Sequence, residues 1–348
     1  MIGDGNRGAV IADARVFQED WVPGDMRHRD AELNLMASAL EPVVAGEPGN
    51  ELLLTGPSGT GKTCSAKFLL GKLRERVLDV DTQYVNCWSD YTRYRVLFRI
   101  LDGIDSAEAI RNHSSASDLL ERLRATDTPV VVILDEVDQL AEPTVLYDLY
   151  ELPHVEMILI ANGEAEVLAG IDDRLHSRLR TATRVSFDRY GTDALVSILD
   201  QRVQTGLQPG VVGRSELESI ARAANGNARD AIAVLRSAAQ LAESRDEEAI
   251  TDAVVDDAVS DARTRVRRTL LEKLNDHQRV LYDLIAAEEP IGPGTLYEAY
   301  ERAVEEPRTK RTLRSYLKKM EQYSLVVAEG AAQGRQYRTG DPGPDDRS

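Results

Sequence analysis

The sequence predicts an α/β domain built on a parallel sheet with helices on both faces, then an all-helical block, then three helices and a hairpin. Three observations predict this. Apolar runs ending in polar or acidic residues alternate with helical periods as far as Phe187. From Thr192 to about Arg263 the period is helical alone. Beyond it, helical periods lead into two short strand-like runs around a glycine turn.

Residues 1–15 are polar and Gly-rich and are expected to form a mobile leader. Val16 to Asp30 follows as a loop carrying Trp21, Pro23 and His28, for which loop packing is the simplest reading of the residues alone. Leu33, Leu35, Met36, Ala39 and Leu40 then recur at helical spacing. Glu51–Thr55 reads as a strand, Gly56-Pro57-Ser58-Gly59-Thr60-Gly61-Lys62-Thr63 as the loop after it, and Cys64–Arg76 as a helix. That loop matches the P-loop pattern G-x-x-x-x-G-K-[ST] in the strand–loop–helix context that confirms it. Its glycines let backbone N–H groups close around phosphates, Lys62 reaches the β- and γ-phosphates, and the Thr63 hydroxyl faces Mg²⁺. The alternative, an ordinary Gly-rich turn, has to account for every fixed position of the pattern.

Gln83–Cys87 reads as a short strand, Tyr94–Ile104 as an apolar-periodic helix carrying Arg93, Arg95 and Arg99 at its start and on its surface, and Asp118–Arg124 as another helix. Pro129 to Glu136 is a continuous apolar strand ending in two acids, as a buried parallel strand should be. This is a Walker B pattern, in which Asp135 holds the Mg²⁺ shell and Glu136 orients and deprotonates the attacking water; a solvated strand cap is the alternative. Val155–Ala161 is a further strand, and Asn162 after it either holds water near a γ-phosphate or begins the turn Asn162-Gly163. Ligands of such sheets bind beyond the carboxyl ends of the strands, where all these residues fall. Asp173–Leu179 carries Arg174 and Arg178, either a finger toward a neighbouring subunit's nucleotide or solvated helix residues; the strand Arg184–Phe187 closes the set.

In the helical block, Leu195, Ile198, Leu199 and Val203 mark a first helix, and Ser215 with Glu218 suggests a capping box for a second. Asn225-Gly226 stops it, Asn227 caps a third, and Arg229 falls in that helix's first turn. The last block holds helices at Asp276–Ala287, Thr295–Ala303 and from near Pro307, then Leu325-Val326-Val327, a glycine turn, and Gln336-Tyr337-Arg338. The third helix sets Leu313, Tyr316, Leu317 and Met320 against Lys310, Arg311, Arg314, Lys318 and Lys319 on the other face. Helices followed by a hairpin describe a winged helix, whose third helix enters the major groove of DNA.

The chain has 348 residues, 42% hydrophobic and 29% charged, a globular composition long enough for about two or three domains. No apolar run approaches a bilayer span, and Met1 to Arg7 lacks a basic and then apolar leader, so a soluble, intracellular protein is expected. The two cysteines, Cys64 and Cys87, lack metal-ligand spacing. A net charge of −17 argues at face value against nucleic acid. Yet only seven of the 42 basic residues are lysine and the acids are spread over the whole chain, a pattern that resembles proteins adapted to high internal salt. Local balance then carries the information: residues 262–340 hold 15 Lys/Arg against 11 Asp/Glu, making them the DNA-facing candidate, although a basic helix face is in most proteins a solvated surface.

The order of P-loop, Asp135-Glu136, Asn162, Arg178, Arg229 and winged helix resembles the Orc1/Cdc6 family of archaeal replication initiators over about residues 16–340. Its most specific parts are Phe17-Gln18-Glu19-Asp20-Trp21-Val22-Pro23 with His28-Arg29, and Tyr84-Val85-Asn86-Cys87 followed by Tyr94-Arg95-Val96. The resemblance implies a flexible leader over 1–15, an AAA+ domain over 16–190, a helical lid over 191–263, a winged-helix domain over 264–340 and an acidic tail over 341–348. It implies that Val22, Pro23, His28 and Arg29 close over adenine, that Asn162 and Arg229 are the two sensors, and that Arg178 or Arg174 acts in trans. It further implies ATP/ADP and Mg²⁺ as cofactors. Origin duplex DNA is the implied partner, touched by Arg93 and Arg95 in the initiator-specific helix and by Lys310, Arg311, Arg314, Lys318 and Arg335 in the winged helix, together with the replicative helicase and other initiator copies, in the cytoplasm at the nucleoid. Departures are the loose match over Trp21 to Arg27 and the short polar stretch between Ile104 and Leu119. The expected function is an ATP-switched replication initiator with slow hydrolysis. The alternatives are a clamp-loader-like ATPase, or an ATP-regulated transcription or partition factor.

Overall fold

A computed structural model of the chain describes residues 10–340 apart from 48, 78, 105–114, 170, 172 and 331–333; within helices, the side chains of 169, 173, 178, 263, 266 and 322 are not described. The chain divides into two compact units, Gln18–Ile198 with Gly226–Arg229, and the remainder.

The first unit contains α1 (Asp30–Val44), β1 (Leu52–Thr55), α2 (Lys62–Arg76), β2 (Asp81–Asn86), α3 (Arg93–Asp102), α4 (Ala116–Arg124), β3 (Val130–Asp135), α5 (Thr144–Tyr150), β4 (Val155–Ala161), α6 (Glu164–Ala169), α7 (Asp173–Leu179) and β5 (Thr183–Ser186). Among the described residues these strands form one parallel sheet in the order β2-β3-β4-β1-β5. The reason is visible along β3, where Val130, Val132 and Leu134 face one core and Val131 and Ile133 the other. Both sides of a strand are apolar only when helices cover both faces. Val96, Leu97 and Ile100 of α3, Leu119 and Leu123 of α4, and Val145 and Leu149 of α5 fill the first core. Met36 and Leu40 of α1 and Ala66, Leu70 and Leu73 of α2 fill the second. The strand order leaves the carboxyl ends of β1, β3 and β4 side by side, which positions the site.

The remaining helices are α8 (Thr192–Gly206), α9 (Arg214–Ala223), α10 (Ala228–Ser244), α11 (Asp252–Glu272), α12 (Asp276–Ala287), α13 (Pro293–Ala303) and α14 (Lys310–Gln322), followed by β6 (Val326–Glu329) and β7 (Gln336–Thr339). The capping box expected at Ser215 and Glu218 does not form. Gly213 occupies the N-cap and α9 starts at Arg214, so Ser215 lies inside the first turn and Glu218 pairs with Arg214 at 2.8 Å. The leader expected over 1–15 is tied down from Val10 onward: Ala12 N donates to Gly206 O at 2.8 Å, Gln208 N to Val10 O at 2.9 Å, and Ile11 N to Glu243 Oε1 at 2.9 Å. Burying Val10 and Val16, each 1% exposed, holds that segment against the helical block. Composition changes near 263/264, but α11 runs through that position without a break. Residues 341–348, expected as an acidic tail, lie outside the described residues.

At the C-terminal end, Leu281 and Ile285 of α12, Leu296 and Tyr300 of α13, and Leu313, Leu317 and Met320 of α14 close one core with Val326 and Tyr337. Strands β6 and β7 pair antiparallel, and Ile291 adds a bridge to Tyr337 on the ladder's other side. The Thr309 hydroxyl caps α14 by accepting from Thr312 N at 3.3 Å.

Candidate functional site

The loop between β1 and α2 is shaped by glycine. Gly61 caps α2 at φ +91°, where only glycine is unstrained, and a Cβ there would lie 2.5 Å from the Tyr190 hydroxyl. Gly59, at φ +75°, leaves room for the Asn227 side chain. Helix α2 therefore begins at Lys62 with its first backbone N–H groups at the loop, the arrangement that receives an anion.

Lys62 folds back so that Nζ donates to Gly56 O at 2.5 Å and Pro57 O at 2.8 Å. Burial pulls its ammonium down to about 8; the Asp135 carboxylate opposes that shift and the charge of Arg229 adds to it. A buried ammonium short of counter-charge fits a polyphosphate. Asp135 ends β3, and its Oδ2 accepts from the Thr63 hydroxyl at 2.7 Å and the Tyr84 hydroxyl at 3.1 Å, while Oδ1 accepts from Glu136 N at 3.0 Å. A hydroxyl and a carboxylate on adjacent elements are hard oxygen donors of the kind Mg²⁺ takes, so the residues present fit that ion. Glu136 turns out of the strand in the left-handed region, φ 56° and ψ 45°, at a cost of about 1 kcal/mol that fixes its side chain off the strand axis.

Pairing of β4 with β1 sets Ala161 opposite Thr55, so Asn162 meets the loop directly: Gly56 N donates to Asn162 O at 3.3 Å. Gly226–Arg229 docks on the same loop, with Ala228 N donating to Gly59 O at 3.0 Å and Arg229 Nη1 to Ser58 Oγ at 3.4 Å. Lys62 with Thr63, Asp135, Asn162 and Arg229 thus converge from four places in the sequence.

Arg29, expected to help close over adenine, lies beside the phosphate loop. It is 5% exposed, and Nε donates to Thr60 O at 3.1 Å, Nη1 to Glu32 Oε1 at 2.6 Å and Nη2 to Asp188 O at 2.6 Å. Its guanidinium also lies 4.0 Å from the Tyr190 ring centroid. These contacts brace the outside of the phosphate loop. His28 is exposed at φ +59°, Pro23 is buried and Val22 half-buried. On α7, Arg174 is exposed and the Arg178 side chain lies outside the described residues.

The arginines of α3 are ordered by carboxylates. Arg93 Nε donates to Asp148 Oδ2 at 2.5 Å, while Arg95 and Arg99 share Asp90, at 2.8 and 3.1 Å. Cations in a helix's first turn oppose its dipole, and the buried Asp90 and the half-buried Asp148 offset that cost. In the other unit, Lys310, Arg311, Arg314 and Lys318 are exposed on α14, whereas Arg335 donates from Nη2 to both oxygens of Glu321, at 2.7 and 3.0 Å.

Sequence reasoning missed the roles of Tyr84, Tyr190 and Asp90. For Tyr84 a signal existed: in β2, Tyr84 and Asn86 share one face, and Asn86 is in register with Asp135. Tyr190 and Asp90 sit in loops, where no period announces a contact.

Residues 48–176 match the model of an AAA domain and residues 196–260 that of a Cdc6 AAA+ ATPase-type lid domain. The ORC1-type DNA replication protein 9 of Halobacterium salinarum is 46% identical over 330 residues, 94% of this chain and 93% of the relative. The ORC1-type DNA replication protein 1 of the same organism is 43% identical over 88% of this chain and 100% of its own length. Among solved structures, the Aeropyrum pernix ORC1 protein in complex with DNA superimposes with a TM-score of 0.78 at 26% identity, covering 96% of this chain and 94% of that one.

Proposed function

The chain belongs to the family of ORC1-type DNA replication proteins, and on that footing we propose that it is an ATP-switched initiator that binds origin duplex DNA and helps recruit the replicative helicase. The observation that carries the reading is the end-to-end likeness to ORC1-type proteins, which takes in the phosphate loop and the basic face of α14 together.

In this reading the loop's N–H groups and Lys62 hold the β- and γ-phosphates, Thr63 and Asp135 hold Mg²⁺, and Glu136 orients the attacking water. Mg²⁺, when bound, neutralises charge on the phosphate oxygens. Asn162 and Arg229 read the γ-phosphate, and Arg178 or Arg174 serves a neighbouring copy. Val22, Pro23 and His28 lie on the adenine side, with Arg29 supporting them through the loop. Hydrolysis in this reading is slow and works as a switch. We assign the AAA+ domain to 16–190, the lid to 191–263 and a winged helix to 264–340. Lys310, Arg311, Arg314 and Lys318 face duplex DNA. Arg95, whose side chain is 54% exposed, keeps donors for a phosphate, while Arg93, 24% exposed, is the weaker contact. The protein acts in the cytoplasm at the nucleoid, alongside other initiator copies. Among the described residues, no helix is long and apolar enough to cross a membrane.

A clamp-loader reading calls for a helical collar after α11, where this chain has α12–α14 and the β6–β7 ladder. A transcription or partition factor differs only in its DNA target. The test is to sequence the duplex retained by purified protein with ATP and with ADP: enrichment of a replication origin that depends on the nucleotide is expected, and retention of scattered promoters would overturn the reading. Lys62→Ala should abolish nucleotide binding, and full ATP affinity in that variant would remove the site assignment.

A further inference from the structure

Many arginines of this acidic chain are matched by carboxylates: Arg93 by Asp148, Arg95 and Arg99 by Asp90, Arg335 by Glu321. Arg308 is held differently. It lies exposed just before α14, next to its capping residue Thr309. Its Nε donates to His277 Nε2 at 3.2 Å, and its backbone N–H donates to the Tyr300 hydroxyl at 3.2 Å. That hydroxyl is 2.7 Å from His277 Nδ1, and Tyr300 itself is 0% exposed.

The proton assignments follow from chemistry. A guanidinium only donates, so His277 Nε2 must be a lone pair; the proton of the neutral ring is then on Nδ1 and is donated to the Tyr300 oxygen. The Tyr300 hydroxyl, fixed in the core of α12, α13 and α14, anchors the imidazole, and the imidazole fixes the guanidinium. A neutral acceptor orients the arginine without cancelling its charge. Among the described residues no carboxylate pairs with Arg308, and it extends the exposed row of Lys310, Arg311 and Arg314. A preorganised cation loses less side-chain freedom on meeting an anion than a mobile one does.

We propose that Arg308 contacts the phosphate backbone of duplex DNA and that His277, anchored on Tyr300, is the positioning residue that aims it. The inference rests on the duplex-binding reading above and adds two residues to it. A phosphodiester contact carries no sequence preference, so the effect should be uniform over duplexes.

The experiment measures affinity of the full chain for an origin duplex and a scrambled duplex across a salt series. Arg308→Gln is expected to weaken both about tenfold and to lower the salt slope by about one. His277→Leu should weaken both about threefold with the slope unchanged, because the charge remains but must be ordered on binding. His277→Gln, which keeps an acceptor oxygen, should stay within about twofold of wild type. In the Arg308→Gln background, His277→Leu should add nothing. Unchanged affinity and slope in Arg308→Gln would overturn the proposal, as would a His277→Leu loss that persists undiminished in that background, which marks a purely structural histidine. Should His277→Leu fail to fold by circular dichroism, Arg308→Gln and His277→Gln still decide. Wild-type protein that binds neither duplex removes the function proposed above; wild-type binding with an indifferent Arg308→Gln removes this inference alone.

Discussion

Replacing Arg29 with alanine should unfold the nucleotide-binding unit at lower temperature by an amount that the geometry sets. The substitution strips donors from Thr60 O and Asp188 O and leaves Glu32, 16% exposed at its side chain, without its partner at 2.6 Å. Hydrogen bonds from a charged donor are worth about 1.5–3 kcal/mol each but share one guanidinium, so they do not add. Breaking a buried ion pair by removing one partner costs about 3–5 kcal/mol, and that range is the better guide. For a unit of this size each kcal/mol moves the midpoint by about 2–4 °C, so a fall of about 10–15 °C is expected. Arg29→Lys keeps one charge but loses the fork and the stacking on Tyr190, and should fall about half as far. The assay is thermal unfolding of nucleotide-free protein by circular dichroism. A midpoint within about 3 °C of wild type, combined with lost nucleotide affinity, would refute the bracing role and return Arg29 to direct nucleotide contact.

Glu156, 7% exposed in β4 and accepting from Gly49 N at 2.6 Å, has its carboxyl raised by burial to about 7. The folded state then holds a proton that the unfolded chain releases, so stability falls as pH rises from about 4.5 to 7. Glu156→Gln should raise the midpoint at pH 8 by the equivalent of about 2 kcal/mol and change little at pH 4.5; equal midpoints at pH 8 contradict this. Tyr84→Phe removes the hydroxyl that donates to Asp135 at 3.1 Å and should raise the Mg²⁺ concentration needed for tight binding of a fluorescent ATP analogue about fivefold, leaving Mg²⁺-free binding unchanged. An unaltered Mg²⁺ titration would deny Tyr84 that role. Arg314→Ala with Lys318→Ala should lower duplex affinity and the salt slope by about two while ATP binding stays intact, and an unchanged slope would take α14 off the DNA.

The phosphate loop was legible because its chemistry leaves little choice: glycines at left-handed positions, a lysine and a hydroxyl at the start of a helix, an apolar strand before it. The parallel sheet was legible for a related reason, since β3 is apolar on both faces and only a doubly covered sheet accepts that. The basic face of α14 stood out against an acidic chain. Short elements were less visible. Helix α5 has too few residues to build a period, and the start of α9 moved by two residues because Gly213 took the cap.

By itself, the sequence determined the glycine-rich loop pattern, the acidic end of its apolar strand and the order in which the elements follow, because those depend on side-chain type and local period. Only the tertiary structure decided what the arginines do. Nothing local distinguishes Arg29 buried against Thr60 from Arg95 on Asp90, or Arg308 on His277 from Arg335 on Glu321. A guanidinium takes its role from the acceptor it meets. For Arg29 alone, chain folding brings those acceptors from as few as three and as many as 159 residues away.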